Sequence, residues 1–511
     1  MRSTHSIPRT GATALWISAL AACALTEAES PPAPKPIRPN VVLILADDLG
    51  FGELGSYGQQ RIRTPHLDQL AAQGMRFTQC YSGAPVCAPS RNVLMTGLHL
   101  GHVTIRGNRP ARDPDGKRVE GQHPIPASSI TLAERFRDAG YATGAMGKWG
   151  LGPVGSSGDP NAQGFDHFFG YNCQRVAHSY FPKHLWNDRE KITINPSPIP
   201  GHAKQPDGTV KMEDWFDAVY ASGPIVDEAV AFIERHGQTE DPFFLYLPFI
   251  EPHVAMHPPR RLVESYPEEW DDRAYRGQCG YLPHPRPRAG YAAMITHLDE
   301  HVGRVLEALE RAGVSDHTLV VFTSDNGTTH GHRADEVFGI GGVDAGFFRS
   351  TAGLRGFKGS VYEGGLRVPL IARWPGRIDA GTQSDFPTYF PDLFPTLCDV
   401  FEPGAPRPPT DGVTILPTLL GAGEQPSRNP MVWIYPEYGG QVATRFDGDW
   451  KLVRRNLNRD STGPWELFDL GRDPSESNDV AAQFPEQVTR GAAILREANL
   501  NNPLFPLAIP R

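Results

Sequence analysis

Asn40-Val41-Val42-Leu43-Ile44-Leu45-Ala46-Asp47-Asp48 is the stretch from which the architecture of this chain can be read. An uninterrupted apolar run containing Val41, Val42 and Ile44 fits a strand buried on both faces of a parallel sheet, since a strand with one wet face would alternate. The run stops abruptly at two adjacent carboxylates. In open parallel α/β sheets the site lies beyond the carboxyl ends of the strands, so Asp47 and Asp48 stand where chemistry is expected.

The pattern recurs. Thr318-Leu319-Val320-Val321-Phe322 runs into Thr323-Ser324-Asp325-Asn326-Gly327, and Phe243 to Ile250 runs into Glu251-Pro252-His253. Tyr141 to Met146 is a shorter strand leading to Gly147-Lys148-Trp149. Amphipathic helices alternate with these strands. One starts at Thr64-Pro65, with Leu67, Leu70 and Ala71 inward, and stops at Gly74. Others run from Ile130 to Ala139, from Pro224 to His236, and from Tyr291 to Ala312 with Met294, Leu298, Val302, Val305 and Leu309 on one face. Strands alternating with helices predict an α/β fold: a large, mainly parallel sheet flanked by helices, with right-handed crossovers. Short strands at Asp449–Val453 and Trp465–Leu470 add a small C-terminal α+β subdomain.

Asp47, Asp48, Asp325 and Asn326 offer three carboxylates and an amide oxygen, a donor set for a hard divalent cation such as calcium or magnesium. Either pair alone also reads as a turn or helix cap after a strand. His253 can give a proton to a leaving alcohol, and Lys148 can bind an anionic oxygen.

Cys87-Ala88-Pro89-Ser90-Arg91, followed by Met95-Thr96-Gly97, places a thiol before a helix over Ser90–Leu100, with Pro89 in its first turn. Free N–H groups at a helix start, together with Arg91, favour an oxyanion there. The alternative is a structural cysteine.

A chain of 511 residues divides into more than one module. Its formal charge of −9 argues against nucleic acid as a partner. Residues 1–29 read as a signal peptide: Arg2 and Arg9 precede the apolar run Ala12–Ala24, which is too short to span a bilayer comfortably. Leu20-Ala21-Ala22-Cys23 also resembles a bacterial lipobox, with the signal then ending at residue 22 and Cys23 carrying the lipid. Residues 30–39 form a Pro-rich linker. The chain is therefore expected to be exported: periplasmic, secreted or lipid-anchored to a bacterial membrane. Cys80, Cys173, Cys279 and Cys398 show no regular spacing, and no disulfide pairing follows from them.

C-x-P-S-R followed by Thr-Gly resembles the signature of type I sulfatases, in the alkaline phosphatase superfamily, and the strand ends resemble that family's motifs in the family's order. The resemblance runs from about Asn40 to Pro375. It implies an alkaline-phosphatase-like catalytic domain over 40–428 and a subdomain with an antiparallel sheet over 429–511. It also implies that a formylglycine-generating or sulfatase-maturing enzyme oxidises Cys87 to formylglycine (3-oxoalanine), the nucleophile toward a sulfate ester. Asp47, Asp48, Asp325, Asn326 and the modified Cys87 would hold calcium, and Arg91 would fix the formylglycine. Lys148 and Lys358, the latter in Leu354-Arg355-Gly356-Phe357-Lys358-Gly359, would bind sulfate, and His253 would contact the ester oxygen.

One departure stands out. The family commonly has Gly-Lys-Trp-His-Leu-Gly, whereas this chain has Gly147-Lys148-Trp149-Gly150-Leu151-Gly152. The missing histidine assists the formylglycine hydroxyl, and His178 is the candidate to replace it or to touch substrate. Export and loop basic residues such as Arg106, Arg109, Arg175 and His330 suggest a sulfated carbohydrate substrate, and His330 and His332, in the Gly-rich Thr328–Ser350 segment expected to line the substrate entrance, are candidate contacts. The alternatives are a phosphodiester or phosphonate monoester hydrolase of the same superfamily, and a non-catalytic carbohydrate-binding relative with a degenerate site.

Overall fold

The computed structural model describes residues 38–211, 218–329, 338–460 and 462–510. The signal peptide, Cys23, nearly all of the Pro-rich linker, His330 and His332 lie outside them. Among the described residues the main sheet has eleven strands. Its centre is the Asn40–Ala46 strand, paired in parallel with Thr318–Ser324 on one side and Phe243–Pro248 on the other. Ala142–Lys148 and His167–Tyr171 continue the parallel set. Antiparallel strands extend both edges, Arg367–Arg373 and Met75–Tyr81 beyond Thr318–Ser324, and His184–Asn187 and Glu190–Thr193 beyond His167–Tyr171.

The apolar reading of the central strand has a direct structural counterpart. Val41, Leu43 and Leu45 enter the hydrophobic cluster on one face, and Val42, Ile44 and Ala46 enter the cluster on the other. Helix Pro287–Arg311 covers the second face, burying Met294, Leu298, Val302, Val305 and Leu309. It begins earlier than the apolar pattern suggested because Pro287 occupies its first turn.

Helix Pro65–Ala72 buries Leu67, Leu70 and Ala71 as expected. The Cys87 helix differs from expectation: it spans Cys87–Thr96, so Cys87 is its first residue, and it ends at Gly97, whose φ of 68° terminates it. The C-terminal sheet is antiparallel, in the order Met431–Tyr435, Gln441–Phe446, Trp450–Arg454, Glu466–Asp469. Helix Pro485–Ala498 closes its outer face through Ala492 and Leu495. No disulfide forms among the described residues. No helix among them is long and apolar enough to cross a membrane.

Candidate active site

The parallel register sets Ala46 opposite Ser324 and Leu45 opposite Pro248, so three strands end at one level. The backbone then locks the ends together. Asp47 N–H donates to the Glu251 carbonyl (3.1 Å), Asp325 N–H to the Ala46 carbonyl (3.0 Å), and Leu49 N–H to Ser324 Oγ (2.9 Å). Asp48 turns out of the strand with φ 68°, in the left-handed region that aspartate tolerates better than most residues. Its N–H donates to Asp325 Oδ1 (3.2 Å), and Asn326 Nδ2 donates to Asp48 Oδ1 (2.7 Å).

Into this cup the Cys87 helix brings Sγ, 3.3 Å from Asp47 Oδ1, 4.0 Å from Asp48 Oδ1 and 3.4 Å from Lys358 Nζ. Arg91, one turn on, forks onto Asp325 Oδ2 through Nε (3.0 Å) and Nη2 (2.9 Å), and its Nη1 donates to the Lys148 carbonyl. Lys148 Nζ pairs with Asp47, and Lys358 Nζ with Asp48 Oδ1 (2.6 Å). His253 Nε2 stands 3.7 Å from Asp48 Oδ2, while its Nδ1 meets the Val254 carbonyl. All these groups are buried. Of the residues expected at the site, Asp47, Asp48, Cys87, Arg91, Lys148, His253, Asp325, Asn326 and Lys358 converge.

The electrostatics follow from packing three carboxylates and three cations out of water. Burial alone would raise Asp47, but Lys148, His253, Arg91 and Lys358 hold it well below the usual carboxylate range. Burial pushes Asp48 up against the pull of Lys358, and burial with Asp47 pushes Asp325 up to about 6. Burial, then Asp325 and Asp47, drives the Cys87 thiol well above its ordinary range. A thiol held protonated in this way is a poor nucleophile as it stands. Burial, with Lys358 beside it, keeps His253 neutral.

Two expected residues are placed differently. Arg106 is only 1% exposed. Its guanidinium donates to the carbonyls of Gly101, Val103 (3.2 Å) and Leu500 (3.0 Å) and to Asn499 Oδ1 (3.0 Å). It ties the C-terminal tail to the loop after the Cys87 helix, and these bonds occupy the donors that a substrate contact would need. That corrects the expectation for Arg106. His178 lies against His253, the rings stacked at 5.1 Å, with Nδ1 3.0 Å from His202 Nε2. Burial, then His253, Lys148 and Lys358, lowers it to about 2. The hydrogen-bonding neighbours of Cys87 Sγ among the described residues are Asp47, Asp48 and Lys358, and His178 stands beside His253.

Gln174 fills the space beside Gly150. A Cβ on Gly150 would lie 2.1 Å from Gln174 Nε2, a buried amide nitrogen with no hydrogen-bond partner. Sequence reasoning missed this residue; its only signal was the hole that glycine at 150 implied. Tyr281 was also missed, being a single aromatic in an irregular loop. Its ring flanks His178 (5.2 Å), His202 (4.3 Å) and His253 (5.9 Å). Beside Lys358 opens a cleft of about 460 Å³, lined in part by Arg355, Tyr362, Tyr438, Gln441 and Arg455.

Residues 39–403 match the Sulfatase family, and residues 356–495 match the family described as N-sulphoglucosamine sulphohydrolase, C-terminal. The chain is 30% identical to N-acetylgalactosamine-6-O-sulfatase of Bacteroides thetaiotaomicron, covering 90% of this chain and 92% of that protein. It is 32% identical to human arylsulfatase A over 88% of this chain and 85% of the relative. Among solved structures, Ps i-CgsB in complex with k-i-k-neocarrahexaose superposes with a TM-score of 0.72 at 25% identity, covering 93% and 95% of the two chains.

Proposed function

This chain belongs to the sulfatase family and is a sulfuric ester hydrolase, and from that premise we propose that its substrate is a sulfate ester on a carbohydrate, hydrolysed by an oxidised Cys87 beside a bound calcium. The observation that carries the reading is the meeting of Cys87 with three carboxylates and three cations at the ends of buried strands.

The residues fit a cation. Ligand atoms of Asp47, Asp48, Cys87 and His253 lie within 4.8 Å of one another, and the buried Asn326 Oδ1 has no partner. Asp47, Asp48, Asp325 and Asn326 would hold it, and a mainly oxygen donor set favours calcium over softer metals. When present, the cation supplies Lewis-acid polarisation, and formylglycine at position 87 supplies a hydrated aldehyde oxygen as nucleophile. The three lysine and arginine charges match the three carboxylates one for one, so a divalent cation leaves the centre positive and ready for an anionic ester.

The chain's own groups then have distinct tasks. Lys148 and Lys358 leave Asp47 and Asp48 to grip sulfate oxygens, stabilising charge where it develops. Arg91 is held by Asp325 and orients the residue at 87. His253 donates a proton to the departing alcohol; burial first and then the Lys358 and Lys148 charges disfavour its protonated form, and an arriving anion offsets those charges. His178, stacked on His253, works on that leaving-group side. Support for a carbohydrate comes from the relative that acts on N-acetylgalactosamine, from the neighbour solved with a neocarrahexaose, and from the cleft in which Tyr362, Tyr438, Arg355 and Arg455 adjoin Lys358. The apolar leader supports export, ending either at residue 29 by ordinary cleavage or at residue 22 with Cys23 as a lipid attachment point, and maturation requires a formylglycine-generating or sulfatase-maturing partner.

The test is to co-express the full chain with a formylglycine-generating enzyme, read position 87 by peptide mass, and assay defined sulfated saccharides beside phosphodiester and phosphonate substrates. Expected are conversion at 87 and sulfate release that falls roughly 1000-fold or more in Cys87→Ala. Dominant phosphoester turnover, or an unmodified thiol in inactive protein, would overturn the reading.

A further inference from the structure

Behind the catalytic centre lies a second group of ligand-type side chains that the reaction does not use. Helix Pro287–Arg311 carries His297 and His301, four residues apart and therefore on one face. Both imidazoles turn toward Glu251, on the loop that follows the Phe243–Pro248 strand. His297 Nδ1 and His301 Nε2 each stand 3.6 Å from Glu251 Oε1. All three residues are buried, Glu251 completely.

The distances are informative. At 3.6 Å neither contact is a hydrogen bond, which for N–H···O ends near ~3.2 Å. Both oxygens of Glu251, both ring nitrogens of His301 and Nδ1 of His297 have no hydrogen-bond partner. Buried polar atoms are almost always satisfied, so the unpartnered Glu251 carboxylate and the one nitrogen of each imidazole that faces it mark a missing occupant. Donor atoms at roughly 2.0–2.2 Å from a shared tetrahedral ion lie about 3.3–3.6 Å apart along each edge, which is the separation of each imidazole nitrogen from Glu251 Oε1, and all three donor atoms lie within 4.8 Å of one another. The walls are aromatic: the Tyr220 ring stands 5.1 Å from that of His297, and Phe249 stacks on His301 at 5.8 Å.

We propose that Glu251, His297 and His301 form a second metal site, for a borderline divalent cation of the zinc type held by one carboxylate and two neutral imidazoles. Its donors distinguish it from the catalytic centre: imidazole nitrogen suits zinc, whereas the oxygen-rich centre suits calcium. Its role is to fasten the strand ends. The Glu251 carbonyl accepts the Asp47 N–H (3.1 Å), and His253 follows two residues later. An ion that pins Glu251 to the long helix therefore braces both the first acid pair and the proton donor.

The test uses the full-length protein, stripped with a chelator and held in excess calcium to occupy the oxygen centre. Zinc is titrated in, and metal content and thermal midpoint are measured for wild type and for His297→Gln/His301→Gln. Expected in wild type is about one tightly held zinc per chain and a midpoint that rises with zinc concentration; the double variant loses both responses. Cobalt(II) added to calcium-saturated wild type gives an independent reading that needs no variant: intense visible bands of a four- or five-coordinate nitrogen-ligated ion are expected. No zinc uptake in wild type, full retention in the folded double variant, or only the weak spectrum of octahedral cobalt would each overturn the proposal.

Discussion

Glycine at 150 and glutamine at 174 act as one unit. Gly150 has φ 81°, a conformation that costs an L-residue about 1 kcal/mol, and its missing side chain is the space that the Gln174 amide occupies. Gly150→Ala is expected to lose about 2–3 kcal/mol, from the backbone term plus the collision with Nε2. In Gly150→Ala/Gln174→Ala the collision disappears and only the backbone part remains, so the double-mutant cycle shows coupling of about 1 kcal/mol or more. Denaturant unfolding with unchanged m-values measures it; strict additivity would show that the amide does not occupy the space. At this scale the acid pairs, Cys87, Arg91, Lys148 and His253 were legible because each follows a strand end or opens a helix. Gln174 was not, because it reaches Gly150 from a separate loop, and sequence shows a hole without showing what fills it. Arg106 misled for the opposite reason: a cation in a loop looks available until its carbonyl partners are known.

Where three elements meet, Glu53 joins them. It sits on the loop after the central strand, and its Oε2 accepts the Gly50 N–H (2.6 Å). Its Oε1 faces Tyr291 Oη on helix Pro287–Arg311 (2.8 Å) and Thr328 Oγ1 after the Thr318–Ser324 strand (3.2 Å). Burial outweighs these bonds and raises its pKa from 4.5 to about 7. A carboxyl raised in the folded state stabilises fully below the unfolded value near 4.5, and that stability is lost as pH rises through about 7. Glu53→Gln mimics the protonated form, since its amide can donate to Tyr291 and Thr328 while its oxygen keeps Gly50. It should match wild type near pH 5 and exceed it by up to about 3 kcal/mol near pH 8. Thermal unfolding across that range checks the sign, and a gap that does not widen with pH would refute the assignment. Element boundaries were legible to the extent that they are written in periodicity. The central Asn40–Ala46 strand and the Pro65 helix were, whereas the antiparallel strands Met75–Tyr81, His184–Asn187 and Glu190–Thr193 carry no such continuous apolar run, and the Cys87 helix starts at the cysteine itself and stops at Gly97, neither limit being an apolar signal.

Across the whole molecule, the C-terminal sheet is joined to the main sheet by a buried ionic network. Lys451 Nζ, on the Trp450–Arg454 strand, lies 2.8 Å from Glu363 Oε1 and 2.9 Å from Glu476 Oε1, and all three side chains are fully buried. Tyr81, on the main sheet, donates to Glu363 Oε2 (2.7 Å) and accepts from Arg445 Nη1 (2.7 Å). The Glu363 N–H donates to Glu476 Oε2 (2.7 Å), so the helix start beyond Lys358 is tied to the C-terminal segment. Burial raises Glu476 to about 7, with Glu363 adding to the rise and Lys451 opposing it. Lys451→Met removes the central cation and strands two carboxyls in a dry interior, a change that costs about 3–5 kcal/mol for a buried pair. Glu476, already raised, then rises further, Glu363 rises from the low value at which Lys451 with Arg367 and Arg445 had held it against burial, and a carboxyl that rises loses stability as pH increases. The variant should therefore be closer to wild type near pH 5 than near pH 8. Lys451→Met/Glu363→Gln/Glu476→Gln replaces the charges with neutral groups of similar shape, and it should recover most of the loss at pH 8. Calorimetry on the three proteins decides the point. If the network joins the two sheets, the single variant unfolds at lower temperature with the C-terminal sheet melting first, while the triple variant restores one cooperative transition. A triple variant no more stable than Lys451→Met at pH 8 would place the stabilisation in packing around the lysine stem instead of in the compensation of buried charge.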